Sequence, residues 1–446
     1  MSDSRTGETT MRPDDPGGLV RADPPGSGST RPVREESLYR QLGRFPATLF
    51  QFDPRMRDGW LTDRYLVRTI GTLEHAGRDP VVTMQFFPKV EGVVAGLYEC
   101  VRMLQTQLWR GYGHEDLTVW TLLEGERVSP WEVPFRIEGA YRAFAHLETP
   151  LDGVLSRRSL VATNVARAVE AAGGTPVVYF GPRHDDWRIQ TPDGYAARVG
   201  GGREVSSDAG GAWWGAEGVG TMPHAMIAAF DGDVVRATLA FARYVRDREP
   251  DVPVVSLVDY DNDCVADSLA VARAMRAEFG DGVLEAVRLD TSSKLIDRTL
   301  YGDPDLWGRE DLRGVNPHLV RKVREALDRE GFEYVGIFVS GGLTPAKIRR
   351  FEAAGLPIAG YGVGSSLLGH GDASEGVISS CDFTADVVEV GGEPEGKVGR
   401  WLWENPRLIR LDWERLRRAD DAALDAPPHA VGAGSTDGAT RKARGP

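Results

Sequence analysis

Between Leu155 and Ser366, short apolar runs alternate with amphipathic stretches of helix length, and this restricts the fold more than any other feature. "TPVVYFG", "VPVVSLVDY", "LEAVRLDT", "YVGIFVSGG" and "IAGYGVGSS" read as strands. "SRRSLVATNVARAVEAAG", "DVVRATLAFARYVRD", "CVADSLAVARAMRAEFG", "NPHLVRKVREALDREG" and "TPAKIRRFEAAG" read as the helices around them. Strands that are apolar on both faces and separated by helices belong to a parallel sheet, because each crossover helix covers the sheet it leaves. The number of units predicts an α/β fold built on an irregular or incomplete (β/α) barrel.

The flanks have a different texture. In residues 36–155, "GVVAGLYECVRMLQTQLW" carries helical periodicity, and "TVWTLLEGERV" reads as a strand leading into a turn at Glu124-Gly125. This predicts an N-terminal α/β domain over 36–155, ahead of the barrel domain over 156–378. "FTADVVEVGGEPEGKVGR" returns to hairpin texture with a turn near Gly391-Gly392. Residues 379–420 are therefore expected to pack back on the N-terminal domain and complete it. Residues 1–35 and 421–446 are rich in Pro, Gly, Ser and Asp with little to bury, and are predicted to be disordered tails.

Composition removes several classes of function. A net charge of −13 leaves no basic face for nucleic acid, though a local cationic pocket for a small anion remains compatible with it. Cys100, Cys264 and Cys381 lie far apart and form no CxxC pair, which fits neither a zinc site nor a disulfide framework and suits a reducing cytosol. There is no apolar run of membrane-spanning length. The polar N-terminus "MSDSRTGETTMRPDDPGG" lacks the apolar segment of a secretory signal. A cytoplasmic protein is expected.

Two consecutive strands end in small residues: "SGGL" from Ser340 to Leu343 and "GVGSS" from Gly362 to Ser366. In a barrel, the loops after neighbouring late strands bind phosphate through backbone N–H groups, and glycine lets the anion come close. One such turn alone reads as a tight turn; two on neighbouring strand ends point to a phosphate. Asp259 and Asp290 end two other strands and so face the same mouth. They could hold ribose hydroxyls, Mg²⁺ or a developing positive charge, or else cap the next helices. Asp261 and Asp263 read as such caps. His224 in "GVGTMPHAMI" is a candidate nucleophile, acid–base group or phosphoryl acceptor. Arg183 and His184 in "YFGPRHDDW" follow another strand end; Arg183 suits a carboxylate or phosphate, against a surface pairing with Asp185 or Asp186. Trp213, Trp214, Phe86 and Phe87 read as packing.

"TDRYLVRT", "GTMPHA", "LVDYDND", "VRLDTSS", "VSGGL", "GVGSSL" and "TADVVEVGGEPEGKVGR" occur in this order. As an ordered set they resemble the nicotinate phosphoribosyltransferase family, and more weakly quinolinate phosphoribosyltransferase. The resemblance implies a barrel with an N-terminal domain completed by C-terminal segments, and a homodimer or higher assembly whose sites include residues of the neighbouring subunit. It implies nicotinate and 5-phosphoribosyl-1-pyrophosphate as substrates, with Mg²⁺ and with ATP as co-substrate. Carried over by motif, Ser340, Gly341, Gly342, Gly362, Gly364 and Ser365 would hold the 5′-phosphate. Asp290 and Asp259 would lie by the ribose and its Mg²⁺, and His224 would be the residue phosphorylated by ATP. Arg183, Tyr65, His184 and Thr221 would meet the base. The chain departs from the family at "VRLDTSS" and "GVGSS", and "GPRHDD" lacks the usual double arginine, so the phosphoribosyl end matches more fully than the base end.

Other readings remain beside this one. Quinolinate, nicotinamide or a non-pyridine base would keep the same transfer chemistry, although quinolinate's second carboxylate asks for more clustered cations than "GPRHDD" offers. A barrel aldolase would need a Schiff-base lysine, and the strand runs contain none. A sensor that binds the phosphoribosyl ligand without reaction is the remaining alternative.

Overall fold

The computed structural model describes residues 31–424, so the tails expected over 1–30 and 425–446 lie outside the described residues. Residues 31–35, read as part of the first tail, instead open the helix Arg31–Leu42. Their anchor is Arg34, which forks onto the Glu126 carboxylate at 2.9 and 3.0 Å and donates to the Arg407 carbonyl. Residues 421–424 likewise close the helix Trp413–Leu424, which the buried Arg102 holds through Asp420.

Six parallel strands form the larger sheet, in the spatial order Glu204–Val205, Val177–Tyr179, Ile358–Val363, Gly336–Val339, Leu284–Leu289 and Val254–Leu257. Val177–Tyr179 and Val254–Leu257 are buried along their whole length, as strands covered on both faces must be. The helices Val234–Arg248, Cys264–Phe279, Pro317–Arg329 and Pro345–Ala353 return the chain between strands. The late strand Ile358–Val363 pairs with the early strand Val177–Tyr179, with Tyr361 opposite Val177. The two outer strands, Glu204–Val205 and Val254–Leu257, do not pair with each other, so the sheet is open.

The second sheet also has six strands, in the order Glu393–Pro394, Thr384–Val390, Val81–Phe87, Phe135–Ala140, Thr118–Thr121 and Ile409–Arg410. Three of them come from beyond residue 380, one flanking each side of the N-terminal strands and one forming the hairpin edge. That hairpin turns at Gly391 and Gly392, both at positive φ. Trp213 packs edge-on to Phe50, while Phe86 and Phe87 are buried, in keeping with a packing role for these rings.

The helix Glu148–Ala171 runs across residue 155, and one rod serves two cores. Its Leu151 and Leu155 belong to the N-terminal core, while Val161, Val165 and Ala168 belong to the core under the parallel sheet. Among the described residues no helix is long and apolar enough to cross a membrane.

Candidate active site at the strand tips

The parallel strand Gly336–Val339 ends against its neighbour: the Ser340 N–H still donates to the Leu289 carbonyl at 2.9 Å. The Ser340 hydroxyl then donates to the Asp290 carboxylate at 2.7 Å. At Gly341 the backbone turns to φ +92°, a region that side chains resist, and a methyl there would meet the Asp290 carbonyl and carboxylate at 3.3 Å. Gly342 follows, also at positive φ, and its carbonyl accepts from Lys347 Nζ at 2.7 Å. Thr344 caps the next helix by accepting from the Lys347 N–H. The second glycine turn, Gly364 to Ser366, is fastened to the first, because the buried Ser366 hydroxyl donates to the Leu343 carbonyl at 2.6 Å. Gly364 and Ser365 stand at the tip, where the short 3-10 turn Ser365–Leu368 begins. Gly362 lies one step back inside its strand, and the rings of Phe180 and Phe338 fill the space a side chain would take. Packing thus accounts for the glycine at this position, and its N–H lies at sheet depth.

His224 opens the short helix His224–Ala229, and its Nε2 meets Asp259 Oδ1 at 3.0 Å. The histidine is nearly half exposed, and the carboxylate only 6% exposed. The bond to Asp259 raises the histidine's pKa above its ordinary value; partial burial and Arg288 work against the rise, and the charge of Asp290 adds to it. Asp259 and Asp290 therefore face one mouth with His224. Asp263 is a cap, accepting from the Ala266 N–H, in agreement with its reading from sequence.

Arg288 joins this group, and the sequence reading missed it. It lies in the strand Leu284–Leu289, two residues before Asp290 and hence on the same face. That spacing, a cation two residues before the strand-end acid and off the exposed face that Glu285 takes, was the available signal. Its Nη2 donates to the Met222 carbonyl at 3.3 Å, while its Nε is buried without a partner. Enclosure lowers its pKa; Asp290 and Asp259 oppose that effect and Arg183 adds to it. The guanidinium sits 6.0 Å from the centre of the Phe180 ring. Thr221, beside Met222, has a buried hydroxyl oxygen that is also without a partner. Two unsatisfied polar atoms beside one backbone segment are what a bound polar ligand would complete.

Arg183 and His184 end the turn Pro182–His184. The surface pairing open to Arg183 does not form, since Asp185 pairs with Arg157 at 2.6 Å and Asp186 with Arg188 at 3.0 Å. His184 lies against Gly364, beside the second glycine turn. Tyr65 is not brought into the group. It is 57% exposed on the helix Arg64–His75, where partial burial and the carboxylates of Glu148, Asp63 and Asp152 push its phenol pKa up.

The mouth thus offers backbone N–H groups for an anion, two carboxylates for developing positive charge, two arginines and two histidines. Among the described residues no group of three or more His, Cys, Asp or Glu side chains could hold a metal on its own. Asp259 and Asp290 fit the kind of Mg²⁺ site in which one or two carboxylates share the ion with substrate phosphates.

The model of the quinolinate phosphoribosyl transferase N-terminal domain matches residues 63–159. A nicotinate phosphoribosyltransferase of Mycobacterium tuberculosis is 30% identical over 257 residues, covering 56% of this chain and 48% of that protein. The chain spans about half the length of the curated relatives it matches. The crystal structure of nicotinate-nucleotide pyrophosphorylase from Pyrococcus furiosus is similar with a TM-score of 0.67 at 27% identity, over 84% of this chain and 96% of that one. The human nicotinic acid phosphoribosyltransferase shares the fold, with a TM-score of 0.55 at 20% identity over 75% of this chain and 76% of its own. With the ordered motifs and the strand-tip group, these matches make the chain similar to nicotinate phosphoribosyltransferases over about half its length and similar in fold to the pyrophosphorylase over most of it.

Proposed function

We propose that the protein transfers the phosphoribosyl group of 5-phosphoribosyl-1-pyrophosphate to nicotinate, giving nicotinate mononucleotide and pyrophosphate. The observation that carries this reading is the Ser340–Asp290 bond, which ties an anion-binding turn to a carboxylate in the mouth shared by His224, Asp259 and Arg288. In the reaction the bond from the anomeric carbon to pyrophosphate breaks and its electron pair leaves with pyrophosphate. The pyridine nitrogen supplies the pair for the new bond. Positive charge grows on the ribose as the first bond lengthens, and Asp290 and Asp259 stabilise it. The glycine turns hold the 5′-phosphate and fix the sugar relative to those carboxylates. Arg288 and Arg183 are the cations available to the base's carboxylate, with Phe180 and Thr221 beside them. Mg²⁺, held by Asp259 and Asp290, would offset the charge on the departing pyrophosphate.

ATP coupling through His224 belongs to the same proposal. Asp259 holds one ring nitrogen and leaves the other for a phosphoryl group. The open parallel sheet is read as an incomplete (β/α) barrel. The active unit is a homodimer or a higher assembly, in which Tyr65, with the exposed Trp60 and Leu61 near it in the chain, reaches the mouth of a neighbouring copy. Three buried, unpaired cysteines favour a reducing cytoplasm.

A second reading takes quinolinate as the base, because the matching domain model is that of the quinolinate enzyme and two arginines face the mouth. One experiment separates the readings: pyrophosphate release with nicotinate, nicotinamide and quinolinate in parallel, with and without ATP and with and without Mg²⁺. Release with nicotinate alone is expected. Release only with quinolinate, together with carbon dioxide, would transfer the assignment to the second reading, and no release with any base would end both.

A further inference from the structure

The Gly364 turn is flanked by two imidazoles that the transfer chemistry above does not use. A methyl group on Gly364 would lie 2.6 Å from His184 Nε2, so that imidazole edge overlooks the strand tip itself. Neither nitrogen of the ring is hydrogen-bonded to a protein group among the described residues. On the other side of the turn stands the exposed His370, whose backbone N–H donates to the Ser365 carbonyl at 3.1 Å. Burial first, then the charges of Arg183 and His370, hold the His184 pKa below its ordinary value. The acid next in sequence, Asp185, gives no relief: it is turned to Arg157 at 2.6 Å, and Arg157 is shared with Asp193 at 2.7 Å. Arg183, His184 and His370 therefore lie together beside one glycine turn; His184 has no carboxylate acting on it, while Asp185 also acts on His370.

We propose that His184 and His370, with Arg183, form a cationic clamp on the terminal phosphate of a sugar phosphate bound at the Gly364–Ser365 turn, and that the clamp tightens as the imidazoles take up protons. This rests on the phosphoribosyl reading and moves His184, and Arg183 with it, from the base to the phosphate, leaving Arg288 as the cation for the base. A phosphate dianion arriving beside His184 supplies the counter-charge that the protein withholds, so binding draws a proton onto the ring. The phosphate is then gripped more firmly on the acid side of neutrality than Arg183 alone would allow, and the added grip fades as the imidazoles lose their protons.

The test is calorimetric binding of ribose 5-phosphate to the full chain from about pH 5.5 to about pH 8.5, in two buffers of different ionisation enthalpy so that proton uptake is counted. The ligand's own second ionisation, near pH 6, is common to every variant and cancels in comparison. His184→Asn should bind about five- to tenfold more weakly than the wild type at the acid end and equally at the alkaline end, with less proton uptake at neutral pH. His184→Arg should restore tight binding at the alkaline end, and His370→Asn should show a smaller loss of the same sign. Parallel curves for the wild type and both asparagine variants would overturn the clamp while leaving the phosphoribosyl reading standing. Failure of the wild type to bind ribose 5-phosphate at any pH would overturn both.

Discussion

Ser340 donates its hydroxyl to the carboxylate of Asp290 across 2.7 Å, although 50 residues and a whole helix separate them in the chain. The acid at one strand tip and the first residue of the glycine turn at the next tip therefore move together. Replacing Ser340 by alanine removes a bond whose net value is about 1 kcal/mol, or close to fivefold in an equilibrium. Ser340→Ala is expected to raise the KM for 5-phosphoribosyl-1-pyrophosphate several-fold and to lower kcat as well, because Asp290 loses its orientation. Steady-state kinetics with unchanged constants would show that the bond does not position the acid.

Gly341 bears on the same pair from the backbone side. With φ at +92° and Asp290 atoms 3.3 Å from the missing methyl, Gly341→Ala strains the turn and presses on the acid together. A loss of about 1–3 kcal/mol in unfolding free energy is expected, measured by urea titration, with a larger proportional fall in transfer rate. An alanine variant as stable and as active as the parent would mean that the turn has room to relax.

The His224–Asp259 contact makes a prediction about pH. Its histidine pKa is raised in the folded protein, so the protonated pair contributes fully below the ordinary imidazole value of about 6.5 and is lost as pH rises through the folded value. Asp259→Asn removes the main cause of the shift, and the His224 ring resonances followed by NMR should then titrate at lower pH. Should the midpoint stay where it was, Asp259 does not set this histidine's charge.

Arg288 tests the base end of the mouth. Its planar fork can pair a carboxylate at two points and lie flat over a ring, neither of which lysine reproduces. Arg288→Lys is expected to cost roughly tenfold or more in kcat/KM for nicotinate, with only a small change in ribose 5-phosphate affinity. Equal losses on both sides would instead make Arg288 a general structural cation, holding the Met222 carbonyl and little else.

Much of this was legible before any coordinates. The strand and helix runs of the larger sheet announced themselves, because burial on both faces leaves a continuous apolar signature. Pairing order did not, since Tyr361 opposite Val177 joins positions remote in the chain and no local pattern encodes that choice. The incomplete barrel was expected, but where it opens was not, because the two-residue edge strand Glu204–Val205 is too short for periodicity to register. At the site, the placement of the glycine turns and the acids at neighbouring strand tips was readable, because small residues and carboxylates that end an apolar run are a local pattern. Arg288 was hidden inside a strand, and Gly362 looked like part of a phosphate turn when two phenyl rings explain it. Whether Arg183 was free or paired depended on where Arg157 and Arg188 reach, which only the folded chain decides.

Tyr65 supplies the last prediction, which rests on the proposed assembly in which a neighbouring copy finishes the mouth. Its phenol is 57% exposed, and its charged neighbours are Glu148, Asp63 and Asp152, none of them from the strand tips. If Tyr65 serves the mouth of a partner copy, Tyr65→Ala and His224→Ala damage different halves of each shared site. Each variant alone should be nearly inactive in the ATP-coupled reaction. Co-refolded in equal amounts, half of the dimers would be mixed, and each mixed dimer would carry one intact site of its two. Recovery should approach about a quarter of wild-type activity, and sedimentation should report a dimer or a larger assembly. A mixture no more active than its components would place Tyr65 outside the shared site, and a monomer of undiminished activity would remove the neighbouring copy from the mechanism altogether.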